Sequence, residues 1–92
     1  MKLLVVEDEA LLRHHLQSRL NESGHVVEAV GDAEEALYQA DQFNFDLAVV
    51  DLGLPGISGL ELIGRLRASG KTFPILILTA VSYTHLTLPT KR

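Results

Sequence analysis

Residues able to do chemistry fall directly after short apolar runs: Glu7 and Asp8 follow Lys2–Val6, and Asp51 follows Asp46–Val50. Thr79 closes a third run that begins at Pro74. If the first and third strands are neighbours, three carboxylates converge on a small volume. Acids so close repel, so at least one has a raised pKa unless a cation joins them. A small, hard, oxygen-seeking ion such as Mg²⁺ suits that donor set, taking one or two carboxylates with water and phosphate oxygens. An aspartate beside such an ion is also a competent nucleophile toward a phosphoryl group, giving an acyl phosphate. Backbone N–H groups and a hydroxyl such as that of Thr79 can hold the phosphoryl oxygens. A single strand-end acid more often faces water, but acids and a hydroxyl at three strand ends favour a shared site.

Such convergence requires a parallel sheet, and the pattern of the chain predicts one. Strand-like runs alternate with stretches of helical period, the arrangement of an open α/β sheet with crossover helices. Lys2–Val6 is apolar on both faces, as a central parallel strand is. Leu12, Leu16 and Leu20, with Leu11 beside them, mark an amphipathic helix over residues 10–22 that Gly24 ends, with Arg13, Gln17 and Glu22 on other faces. His25–Ala29 reads as a more polar strand suited to a sheet edge. Asp32 with Glu35 and Ser58 with Glu61 have capping-box spacing, each ahead of an apolar stripe: Ala33, Ala36, Leu37 and Ala40, then Leu62, Ile63 and Leu66. Gly53, Pro55 and Gly56 make Leu52–Ile57 a loop, and Pro74–Thr79 is a fourth strand. The expected fold is therefore α/β and doubly wound. Ligands on such a sheet bind beyond the carboxyl ends of the strands, where the strand order reverses.

These residues resemble the response-regulator receiver domain. Leu4-Val5-Val6-Glu7-Asp8 is similar to its first strand and acidic pair, Asp51-Leu52-Gly53-Leu54-Pro55 with Gly59 to its phosphoacceptor loop, and Leu78-Thr79-Ala80 to its switch strand. The resemblance implies a flavodoxin/CheY-like sheet of order 2-1-3-4. It implies Asp51 as phosphoacceptor and Glu7, Asp8 and Asp51 as Mg²⁺ ligands, joined by the backbone carbonyl of Gly53. Thr79 is implied as the hydroxyl that contacts the phosphoryl group and switches. Helix residues Leu11–Leu16 and the loop from Val50 to Pro55 are most similar to winged-helix transcription factors of the OmpR type. That likeness implies a sensor histidine kinase as phosphodonor and a homodimer in the intact parent protein. The family's fourth helix, fifth strand with its Lys-Pro pair and fifth helix find no match here, so Lys91 is given no role. Residues 81–90 are similar instead to one reading frame of a transposon-end adapter used in sequencing libraries. The expected organisation is a partial receiver over 1–80 and a non-native tail over 81–92, without DNA binding by this chain.

Composition closes off other classes. The 92 residues amount to one small domain or part of one, and 47% hydrophobic with 22% charged residues is ordinary for a globular chain. A net charge of −4 gives no electrostatic case for nucleic acid or an anionic membrane. With no cysteine there is no thiolate nucleophile and no disulfide framework. The longest apolar runs are far below the roughly 20 residues of a membrane span, and no signal peptide opens the chain, so a cytoplasmic protein is expected. Ser69-Gly70-Lys71-Thr72 ends like a P-loop, but position 65 is Arg65 and the segment leads from helix to strand, the reverse order. His14 and His15 are adjacent on a helix and cannot chelate together. Two alternatives to a phosphorylated signalling module remain. A Mg²⁺-dependent aspartyl phosphatase would carry a second acid two residues after its nucleophile, where this chain has Gly53, so enzymatic turnover is not expected. A chain ending after its fourth strand could also be poorly stable and inactive, with Ile75–Leu78 as an unprotected apolar edge.

Overall fold

A computed structural model describes residues 1–78. The elements run β1 (Lys2–Val6), α1 (Ala10–Glu22), β2 (Val26–Val30), α2 (Ala33–Gln42), β3 (Leu47–Asp51), α3 (Gly59–Ala68) and β4 (Ile75–Leu78). All strand pairs are parallel, in the order β2-β1-β3-β4. The expected sheet order and the bounds of β1 and α1 agree with this. The expectations for Thr79 and for residues 81–92 lie outside the described residues.

Strand alternation divides the interior. Leu4, Val6, Ala48 and Val50 face α2 and α3, where Ala33, Ala36 and Ala40 meet Leu62 and Leu66 in one buried cluster. Small alanines along α2 let that helix lie close to the sheet. Leu3 and Val5 point the other way and are also buried, on the side where α1 packs against β1 and β2. β1 is enclosed on both faces, and β2 lies at an edge, as its polarity suggested.

Side-chain caps set the helix starts. Carboxylates of Glu9 and Asp32 and the hydroxyl of Ser58 accept the N–H groups of Leu12, Glu35 and Glu61 at 2.7, 2.8 and 3.1 Å. α1 and α3 end in paired reversals, His25 N–H to the Leu20 carbonyl and Lys71 N–H to that of Leu66. Both depend on a left-handed glycine, Gly24 (φ 93°) and Gly70 (φ 88°). Gly70-Lys71-Thr72 is thus a helix exit rather than a phosphate loop.

Three details differ from the sequence reading. β2 and β3 each begin and end one residue later than expected, and β4 begins at Ile75 rather than Pro74. Asp46 precedes β3, with its carboxylate and N–H bonded to the Lys2 backbone at 2.7 and 2.8 Å, while Asp51 enters the ladder opposite Leu78. α1 buries no residue: Leu16 and Leu20 are half-buried, but Leu11 is 77% exposed. The three phenylalanines, expected from the sequence as packing residues near element ends, divide: Phe45 is buried and Phe73 packs on the core, whereas Phe43 is exposed beneath the Lys2 ammonium, 4.5 Å from its ring centre.

Candidate functional site

The register of the central strands builds the site. Val6 stands opposite Val50 across the β1–β3 ladder, so the next residues, Glu7 and Asp51, stand side by side at the carboxyl end of the sheet. This is the place where the chain, having gone from β1 to β2 on one side, returns on the other as β3. Oxygens from Glu7, Asp8 and Asp51 lie within 4.8 Å of one another. The sequence expectation that these three converge is met.

Their surroundings differ. Glu7 is 3% exposed, Asp51 is half-buried and Asp8 is exposed. One Glu7 oxygen accepts the N–H of Glu9 at 2.9 Å. Burial is the main reason that the Glu7 pKa is pushed up to about 7, and the Glu9 N–H opposes the shift. Repulsion from Asp51, and hydrogen bonding of the protonated form to Asp51 and Asp8, push it further up. A buried carboxylate facing two others is the electrostatic situation that a divalent cation relieves. The donor set is all oxygen, which fits Mg²⁺ rather than a softer metal.

Asp51 is held from its own loop. The Gly53 N–H donates to Asp51 Oδ1 at 2.9 Å, and the Leu52 N–H donates to the Leu78 carbonyl at 3.0 Å. The loop then closes tightly on α3. A Cβ at Gly59 would lie 2.4 Å from the Asp51 carbonyl oxygen and 2.7 Å from Leu52 Cα, a backbone approach that only glycine permits. A Cβ at Gly53 would meet Asp51 Oδ1 at an ordinary 3.6 Å, so packing does not explain that glycine.

Sequence reasoning missed Arg13. Its Nη1 donates to the carbonyls of Glu7 at 2.8 Å and Asp8 at 3.4 Å. A lone arginine in a helix gives no such signal. His14 and His15 are exposed on α1 and are not among the residues whose ligand atoms converge.

Comparison with known proteins agrees with this geometry. The response regulator receiver domain family matches residues 3–88. The chain belongs to that family. Among curated relatives, the receiver is 74% identical over 80 residues to the two-component response regulator PhoP of Pseudomonas aeruginosa, covering 87% of this chain and 36% of that protein. The chain thus spans about a third of the relative's length. Among solved structures, it superposes on the response regulator TrrA of Thermotoga maritima in complex with Mg²⁺-BeF with a TM-score of 0.82 and 39% identity, covering 95% of this chain and 76% of that one. It also superposes on TrrA in complex with the histidine kinase ThkA, with a TM-score of 0.79 and 40% identity, covering 86% and 68%. The chain is a receiver domain similar to that of PhoP, with the CheY-like sheet order of its family. Among the described residues no helix is long and apolar enough to cross a membrane.

Proposed function

We propose that Asp51 is the phosphoacceptor of this receiver and that Glu7, Asp8 and Asp51 together hold one Mg²⁺. The observation that carries the reading is the gathering of these three carboxylates within 4.8 Å at the point where the strand order reverses. In the proposed reaction, the Asp51 carboxylate attacks the phosphorus of a phosphohistidine. The Asp51 O–P bond forms, the N–P bond breaks, and the imidazole nitrogen leaves with its electron pair and takes up a proton. Gly53 N–H holds Oδ1, which leaves the other carboxylate oxygen as the attacking atom. Glu7 and Asp8 supply fixed negative oxygens for the cation. When bound, the ion supplies charge neutralisation to the carboxylates and the transferring phosphoryl oxygens.

The Gly53 backbone carbonyl as a further metal ligand, and Thr79 as the hydroxyl that follows phosphorylation, belong to the same proposal. So do a sensor histidine kinase of the PhoQ kind as donor, a cytoplasmic location and a homodimer of the longer parent protein. Promoter binding is assigned to the longer parent protein. A division after Ala80 accompanies the reading: the curated relative aligns over 80 residues, although the family match runs to residue 88. Finding a natural genomic continuation in place of adapter sequence would remove that division.

Incubation with a small acyl phosphate and Mg²⁺ tests the function. One phosphoryl group per chain, dependent on Mg²⁺ and absent from Asp51→Asn, is expected. Equal labelling of both proteins would remove Asp51 from its role, and multiple turnover of a generic phosphate ester would favour an aspartyl phosphatase.

A further inference from the structure

We propose that Arg13 is a positioning residue for the acidic pair and that Gly31 is the gap through which it reaches them. The inference rests on the metal site of the preceding reading but not on phosphoryl transfer. Arg13 lies in the first turns of α1, and its Nη1 donates to the carbonyls of two successive residues, Glu7 at 2.8 Å and Asp8 at 3.4 Å. Those carbonyls belong to the peptide planes on either side of the Asp8 Cα. Fixing both planes fixes the direction in which Asp8 leaves the backbone. The first plane is also the carboxyl side of Glu7, whose N–H is already tied to the Val30 carbonyl at 3.0 Å. One side chain therefore locks the turn that carries two of the three converging carboxylates.

Two further observations give this arrangement a direction. Arg13 forms no ion pair with those carboxylates; the one salt bridge among the described residues is Arg65–Glu61 on the surface of α3. The guanidinium thus brings positive charge to the acidic turn while leaving the carboxylate oxygens available to a cation. Gly31, directly after β2, stands against it: a Cβ there would lie 3.1 Å from Arg13 Nη1 and 3.7 Å from Cζ. A Cβ at position 31 would make the guanidinium give by a few tenths of an ångström, which loosens its hold on the carbonyls.

Outer-shell partners of metal ligands typically change affinity 10–100-fold when removed. Calorimetric titration with Mg²⁺ alone, above the pH at which Glu7 ionises, compares wild type with Arg13→Ala, Arg13→Lys and Gly31→Ala. Arg13→Ala is expected to raise the Kd about tenfold, Gly31→Ala to raise it less, and Arg13→Lys to recover part of the loss. Unfolding in chelator is followed in parallel. A lower unfolding midpoint with an unchanged Kd among folded molecules overturns the proposal, because Arg13 then only stabilises the fold. If Arg13→Ala does not fold, an unchanged Kd in both Gly31→Ala and Arg13→Lys overturns it equally. If wild type binds Mg²⁺ but accepts no phosphoryl group, the function falls while shifted Kd values uphold Arg13. A wild type that binds no Mg²⁺ overturns both.

Discussion

Replacing Glu7 with glutamine should change how the stability of this receiver depends on pH. The Glu7 carboxyl is buried, faces Asp51 and titrates near pH 7 in the fold, against an ordinary value of 4.5. Between those values the folded chain keeps a proton that the unfolded chain has released. Stability contributed by the neutral carboxyl is fully present below pH 4.5 and is lost as the pH rises through about 7. A displacement of that size corresponds to about 3 kcal/mol, or on the order of 15 °C in Tm for a domain this small. The informative quantity is the difference between wild type and Glu7→Gln, which isolates the contribution of this one carboxyl. Thermal and urea unfolding in chelator across this range should show wild type losing stability relative to Glu7→Gln, with the gap opening between pH 5 and 8. Adding Mg²⁺ at the alkaline end should restore wild type and do much less for the variant. Parallel stability profiles for the two proteins would refute the assignment of Glu7 as a strained, cation-seeking acid.

Other expectations follow from packing and the edge of the sheet. Gly59→Ala forces a Cβ against the Asp51 carbonyl and Leu52 Cα. It should cost about 2 kcal/mol in urea unfolding and slow acyl phosphate labelling, because the displaced backbone carries Asp51; unchanged stability and rate would contradict the contact. Leu76 and Ile77 in β4 are 58% and 49% exposed and point to opposite faces. Among the described residues β4 is the outer strand on its side, and an apolar outer strand invites pairing between copies, so Ile77→Lys should reduce self-association in sedimentation. A wild-type chain that sediments as a monomer at high concentration would count against this.

The layout of the site was legible because it follows from periodicities. An apolar run buried on both faces, three acids at strand ends and capping residues at Asp32 and Ser58 encode strand position and helix starts locally. The one-residue shifts in β2 and β3 were not legible, since they depend on pairing across the sheet, as where Asp51 meets Leu78 in the ladder. The leucines of α1 suggested a buried stripe, but burial depends on what a helix packs against, and among the described residues α1 packs mainly on β2 and β1. Arg13 and Gly31 lie 18 residues apart, a difference of their positions in the chain. Their relation exists only once β2 folds beside β1.

The most direct measurement is to locate the phosphoryl group. After reaction with a small acyl phosphate and Mg²⁺, borohydride reduction converts an aspartyl phosphate to homoserine, which peptide sequencing by mass spectrometry can place. Homoserine at position 51 alone, formed only when Mg²⁺ is present, is the predicted result. Reduction at Asp8, at Glu7 or at a distant acid such as Asp46, with position 51 unchanged, would contradict the account.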